Sequence, residues 1–345
     1  MKNKKTTIHD IAEELDITAS TVSRALKDHP RISDATKELV VKTADKLDYQ
    51  PNHIAAALRK GKSNIIGVII PMADRNFFAS IIRGVEEVVN QAGYRVIISQ
   101  SNDSPEKEKA NIKALLESQV DGILASYAKE TTEFSHYEEI VNQNVPLILF
   151  DRLHETLESL KVSSVVINDY LGAYKATEHL IEQGYKRIAH FSGQQHISIY
   201  KERRRGYEEA LKRHNIPIDE SLIVESNLKL EAGRELGKEV LSWDKLPDAI
   251  FSASDYGAVG AMEVLKNNGI RIPEDIGIVG FLNESFTSFV EPALTTIDQH
   301  GEKMGQISAQ KFLDHMDGEK NNYAPSKTVL NPELIVRKSS LKEKK

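Results

Sequence analysis

The chain has 345 residues, 40% of them hydrophobic, 28% charged and 6% aromatic, enough for two or three globular domains and unlike a disordered or fibrous chain. It contains no cysteine, which excludes disulfides, thiolate metal sites and cysteine nucleophiles and fits a reducing compartment. The net charge of −6 divides into +3 for residues 1–62 (12 Lys/Arg against 9 Asp/Glu) and −9 for the rest (33 against 42), a balance that permits nucleic-acid binding by the start without arguing for it.

The first residues, MKNKKTTIHD, lack the apolar stretch of a secretory signal, and no later run approaches the roughly 20 apolar residues of a membrane span. The expectation is a soluble, cytoplasmic protein. Residues 1–60 carry three short helical patterns and no strand. Thr7 is placed to cap a helix with Ile8, Ile11, Ala12 and Leu15 on one stripe and Asp10 three residues after the cap. A tight turn leads to Thr18, a second cap, and a helix with Val22, Ala25 and Leu26 inward and Ala19, Ser20, Ser23 and Arg24 outward. Ser33 caps a third helix, whose Thr36, Val40, Thr43, Ala44 and Leu47 complete a small core. Small exposed residues on a second helix after a tight turn suit insertion into the major groove; a plain three-helix bundle with a polar outside has the same pattern. The stretch 52–60, NHIAAALRK, is a helical run too short to hold its shape alone in water. Paired with a second copy on DNA it would fold, and Leu58 could wedge between base steps of the minor groove.

From Asn64 onward, β-branched runs alternate with helical stretches: IIGVII, YRVIIS, DGILAS and PLILF, then VVIN, RIAHFSG, LIVES, AIFSAS and IGIVGF, with helices at 171–183, 257–268 and 301–316 among them. Such alternation predicts doubly wound parallel sheets in two α/β lobes. A ligand would bind between them, facing the loops after Ile70, Ser99, Phe150, Phe191, Ser252 and Phe281. TVLNPELIV reads as one last strand. The predicted organisation is a headpiece at 1–50, a hinge and linker at 51–63, a first lobe of 64–163 with 292–325, and a second lobe of 164–291 with 326–340.

The run TTIHDIAEELDITASTVSRALKDHPRISDATKELVVKTADKLDYQPNHIAAALRKGKSNIIGVIIP resembles the headpiece and hinge of the lactose/galactose repressor (LacI/GalR) family. The pieces DRNFFASIIRGVEE, QSNDSPEKE, VPLILFDR, ERRRGYEEAL, PDAIFSASDYGAVGAMEVLKNNGIRIPEDIGIVGF and PALTTI extend the likeness across the chain. The resemblance implies a helix-turn-helix headpiece followed by two lobes of the periplasmic-binding-protein-like type. It also implies a homodimeric regulator, usually a repressor, of a near-palindromic double-stranded operator, controlled by a sugar or sugar derivative, with no cofactor or metal and no membrane. By the family pattern Ala19, Ser20 and Arg24 read bases, Leu58 is the hinge wedge, and Thr7, Thr18, Thr21, Ser23 and Asn52 contact the DNA backbone. Phe77, Phe78, Asp151, Arg203, Ser254 and Asp255 fall at effector positions.

The sequence departs from that pattern twice. Leu282 stands where the family commonly has Asp, followed by Asn283 and Glu284, and Leu228 stands where several members have a stacking aromatic. Arg203, thus deprived of an opposing carboxylate, suggests an anionic ligand; a neutral oligosaccharide reached by Asn283 or Glu284 is the alternative. Two other classes of protein share parts of this pattern. An enzyme is disfavoured because no G-x-G-x-x-G, G-x-x-x-x-G-K-S/T, H-E-x-x-H or G-x-S-x-G motif occurs and the eleven histidines are scattered. A secreted sugar-binding protein would leave the first 60 residues without a purpose.

Overall fold

In the computed structural model, which describes residues 6–49, 62–318 and 323–342, the chain divides into two units, Met1–Ser63 and Asn64–Lys345. The expected hinge helix, with Asn52 and Leu58, lies outside the described residues.

The first unit contains α1 (Ile8–Glu14), α2 (Ala19–Ala25) and α3 (Asp34–Lys46). Each begins on a hydroxyl cap. Thr7 forms a capping box with Asp10, Thr18 accepts the Thr21 N–H and Ser33 accepts the Thr36 N–H. Each also ends on an aspartate in the left-handed region, Asp16, Asp28 and Asp48. The following residue's N–H then returns to a helical carbonyl: Ile17 to Ala12, His29 to Arg24, Tyr49 to Ala44. Aspartate takes this conformation more readily than bulky residues, and the returning bond satisfies a carbonyl the helix leaves open. Ile11, Ala12, Val22, Ala25, Val40 and Ala44 form the core. Thr36, expected there, sits at the rim with its hydroxyl 2.8 Å from that of Ser33.

The second unit holds β1 (Ile65–Ile70), α4 (Asn76–Gln91), β2 (Arg95–Gln100), α5 (Pro105–Glu117), β3 (Gly122–Ala125), α6 (Ser135–Asn142), β4 (Leu147–Phe150), α7 (Glu155–Ser159) and β5 (Ser163–Ile167). There follow α8 (Asp169–Glu182), β6 (Ile188–Ser192), α9 (Ser198–Arg213), β7 (Ile223–Glu225), α10 (Leu230–Leu241), β8 (Ala249–Ser252), α11 (Asp255–Asn267) and β9 (Gly277–Val279). The chain closes with β10 (Thr296–Asp298), α12 (Gly301–Asp317), β11 (Lys327–Leu330) and β12 (Glu333–Ile335). Among the described residues three sheets result: a parallel one ordered β11-β5-β4-β3-β1-β2, a parallel one ordered β7-β6-β8-β9, and an antiparallel pair, β10-β12.

Strand composition follows from burial on both faces. In β1, Ile66, Val68 and Ile70 enter one core with Phe77, Phe78 and Phe312, while Ile69 enters another with Leu115, Ile123 and Tyr137. In the second sheet Ala189, Phe191 and Ile250 point one way and Ile188, Ala249 and Phe251 the other. Both faces are apolar, so these strands read as continuous β-branched runs. Helices α4 and α12 touch backbone to backbone at Gly84 and Gly305, where a Cβ would stand 2.0 Å from the Glu302 carbonyl oxygen and 2.1 Å from that of Ile81.

The lobe boundaries differ from those expected. β5 and β11 both belong to the first sheet, so the first lobe runs to Ile167 and keeps Lys327–Leu330, where the sequence pattern predicts the second lobe. TVLNPELIV is two strands in two sheets, parted at Asn331 and Pro332, because proline has no N–H to give a ladder. The last residues do return to the second lobe, where the Ser339 hydroxyl donates to the Ile278 carbonyl.

Candidate functional sites

In the first unit the start of α2 concentrates hydroxyls. Thr18 Oγ1 lies 2.8 Å from Ser20 Oγ and 2.9 Å from Thr21 Oγ1, over the helix N-terminus. Ser20 and Arg24 are exposed, and Arg24 has no ion pair among the described residues. Ala19 and Ser23 are half-buried, so Ala19 can offer at most part of its methyl. The Thr7 hydroxyl is already engaged by the Asp10 carboxylate at 2.6 Å. The side chains most open to a partner are Ser20 and the rim of Thr18 and Thr21 over the helix N-terminus, with Arg24 in the last turn: donors and acceptors suited to phosphate and base edges.

In the second unit a cleft lies at the carboxyl ends of both parallel sheets. β1 leads to Met72, Arg75, Phe77 and Phe78; β2 to Asp103; β3 to Lys129; β4 to Asp151 and Arg152. From the other lobe, β6 leads to Ile199, Tyr200 and Arg203, β7 to Asn227, Leu228 and Lys229, β8 to Ala253 and Ser254, and β9 to Leu282 and Glu284.

The structure thus brings together five of the expected effector residues, Phe77, Phe78, Asp151, Arg203 and Ser254. Phe77 and Phe78 are nearly buried, with ring centroids 5.1 Å apart, and serve both the first-lobe core and the cleft wall. Asp151 closes β4 in a left-handed conformation and accepts the Ser126 hydroxyl at 2.9 Å. Burial pushes its carboxyl up against the pull of Arg152. Arg152 donates to Asp103 at 2.6 Å and to the Tyr127 carbonyl at 2.7 Å. Burial would raise Asp103, but Arg152 and the Lys129 N–H together hold its carboxyl below the usual range.

Arg203 is not under-compensated. Its Nε and Nη2 lie 2.8 and 2.7 Å from Asp169 Oδ1, Nη1 donates to the Ala253 carbonyl, and the guanidinium stacks 3.7 Å over the Phe281 ring. Asp169, at the start of α8, supplies the counter-charge that Leu282 does not, and this removes the motive for an anion paired to Arg203. Burial pushes Asp169 up to about 6 despite Arg203.

Two expected contacts lie elsewhere. Asp255 is fully buried behind the wall, accepting the Thr296 hydroxyl at 2.6 Å and the Glu284 N–H at 2.9 Å; burial pushes it up to about 7. Asn283 does not line the cleft. It donates to Asp298 and accepts from Arg337, and it borders a separate hollow with His300 and Lys303. Leu282 and Asn283 both have positive φ, +126° and +51°. This reversal carries Asn283 away and delivers Glu284 to the cleft, and Leu282 holds backbone strain there. Burial raises the Glu284 carboxyl, while the Asn76 N–H and Arg75 pull it down.

Sequence reading did not single out Arg75, Asp103, Lys129, Arg152 or Tyr200. Arg152 follows Asp151 directly, and Asp103 and Lys129 follow strands, so their place after a strand was the available signal. Burial would raise the Tyr200 hydroxyl, but Lys129, Arg203 and Arg152 outweigh it and hold it below its usual value. Among the described residues no helix is long and apolar enough to cross a membrane, and no group of side chains could hold a metal ion.

Residues 7–52 match the model for bacterial regulatory proteins of the lacI family, and residues 177–340 match a periplasmic binding protein-like domain. The HTH-type transcriptional regulator DegA of Bacillus subtilis (strain 168) is 32% identical over 337 residues, 97% of this chain and 98% of DegA. Among solved structures, the lac repressor dimer bound to operator and the anti-inducer ONPF aligns with a TM-score of 0.84 and 26% identity, over 98% of this chain and 100% of that one. A complex of the transcriptional regulator CelR with cellobiose aligns with a TM-score of 0.73 and 28% identity, over 97% and 100%. A capped helix-turn-helix unit joined to a two-lobed cleft, with relatives of this kind over nearly the whole length, places the chain in the lacI family of bacterial regulatory proteins, as a DNA-binding transcription regulator and not an enzyme.

Proposed function

We propose that this protein is a cytoplasmic repressor that binds a near-palindromic operator as a homodimer and changes its operator affinity when a small sugar or sugar derivative occupies the cleft. The carrying observation is one chain that joins an exposed, hydroxyl-rich α2 to a cleft built from both sheets. A two-fold dimer presents two such helices and matches a two-fold site. Ser20 and Arg24 do most of the base reading, with Ala19 adding methyl contact. Thr7, Thr18, Thr21, Ser23 and Asn52 set register on phosphates, and Leu58 with its mate kinks the centre. In the cleft Phe77, Phe78, Asp151, Arg203 and Ser254 meet the effector, joined by Lys129, Tyr200 and Glu284. Asp255 acts from behind, by holding the Glu284 backbone. The relatives seen with cellobiose and with ONPF support a sugar-like ligand of modest size.

The test is selection of bound duplexes from a randomised pool by the full chain, followed by anisotropy titration with and without sugars that raise its melting temperature. A selected site with two-fold symmetry, bound more weakly and bent less by Leu58→Ala while sugar affinity is unchanged, supports the reading. A selected site without symmetry, or one bent normally by Leu58→Ala, rejects the dimer or the wedge.

A further inference from the structure

Helix α4 opens the first lobe's wall of the cleft, and its N-cap residue, Arg75, makes no side-chain capping bond. The first helical N–H, of Asn76, is satisfied from the other lobe: it donates to Glu284 Oε2 at 3.0 Å, from a residue 208 positions away in sequence. Glu284 is only 2% exposed, and a buried carboxylate at an open helix N-terminus is well placed for both partners. Beside it a second contact crosses the cleft. The Arg75 guanidinium lies 3.6 Å over the ring of Tyr256, in the first turn of α11, and Phe286 holds that ring edge-on at 4.8 Å. Arg75 and Asn76 belong to one lobe, Tyr256 and Glu284 to the other. Parting the walls here would pull a cation off an aromatic face and take a buried carboxylate away from the backbone N–H groups of Asn76 and Phe77.

We propose that Arg75, Tyr256 and Glu284 form a clamp that holds the two lobes together across the cleft before any ligand is bound. Arg75 and Glu284 also line the cleft, so a ligand must enter past the clamp or open it. The inference rests on the geometry of the second unit and not on DNA recognition; its failure would leave the assignment as a regulator untouched.

The absence of native cysteine allows a direct test. Lys113 on α5 and Lys238 on α10, one in each lobe with exposed side chains, are replaced by Cys in the full chain and labelled with a donor–acceptor dye pair. Labelled chain is diluted into excess unlabelled chain so that each dye pair reports one molecule. Single-molecule transfer is recorded without ligand for the parent and three variants. Arg75→Gln removes the cation. Asn76→Pro removes one of the N–H groups donated to Glu284, at a first helical position where proline is tolerated, after a residue already extended at φ −96° and ψ 125°. Glu284→Ala removes the acceptor from the other lobe. Far-UV ellipticity identifies the variants that fold. The expected result is lower mean transfer, with the open-to-closed ratio raised about fivefold or more, in Arg75→Gln and in at least one of the other two. Any other pattern, including unchanged or higher transfer in Arg75→Gln, overturns the clamp.

Discussion

Replacing Asp255 with Asn separates the effect of burying this side chain from the effect of charging it. Asp255 is fully buried and its carboxyl is pushed up, chiefly by that burial, from 3.8 to about 7. The folded state therefore holds a proton that the unfolded chain releases, so the stabilising contribution is complete below pH 4 and is lost as pH rises through 7. A displacement of that size is worth about 4 kcal/mol in total, and about 2–3 kcal/mol between pH 5 and 7. Asparagine cannot ionise and keeps one acceptor for Thr296 or Glu284, at a cost of about 1–3 kcal/mol for the bond it cannot reproduce. The stability of Asp255→Asn relative to the parent should thus rise by about 2–3 kcal/mol from pH 5 to 7. The assay is urea unfolding followed by the fluorescence of Trp243, the sole tryptophan, which packs against the second lobe's core. A difference between the two proteins that stays flat across this range would show that Asp255 does not titrate there, and the account of its burial would fail.

Arg203→Met should destabilise the second lobe by about 3–5 kcal/mol, because it strands the buried Asp169 carboxylate; adding Asp169→Leu should return most of that loss in the same urea assay, and a double variant no better than the single one refutes the pairing argument. Thr18→Ala should cost the headpiece about 1 kcal/mol through loss of its cap, seen as a lower first transition in far-UV melting; an unchanged transition means that the cap is idle. Arg24→Ala should relax preference at one base pair of each half-site by about 1–3 kcal/mol in competition binding, whereas a uniform loss across all sequences would make Arg24 a phosphate contact.

How much the sequence disclosed depended on the range of the interaction. The caps Thr7, Thr18 and Ser33 act within three residues, and they stand where they were expected. The runs IIGVII and AIFSAS had to be strands buried on both faces, because alternation is absent and length is short. Pairings between distant elements left no such trace. Asp169 meets Arg203 only because α8 crosses into the second lobe beside α9, and no periodicity ties position 169 to position 203. Strand β11 returns to β5 across the intervening second lobe, and Pro332 was the one local sign that TVLNPELIV could not be a single ladder strand.

The loop after β9 shows why spacing from a motif does not fix orientation. The family resemblance pointed to the three residues after Phe281, and Asn283 is the polar one next to Leu282. What decides the matter is backbone handedness. With Leu282 and Asn283 both at positive φ, Asn283 turns to Asp298 and Arg337, and Glu284 turns to the cleft and to Asn76. Its own N–H is pinned from behind by Asp255. This short loop therefore touches the second lobe, the antiparallel pair β10-β12 and the first lobe at once. Glu284, two positions beyond Leu282, reaches the cleft already bonded to the opposite wall, so the residue that could meet a ligand is also one that relates the two lobes to each other.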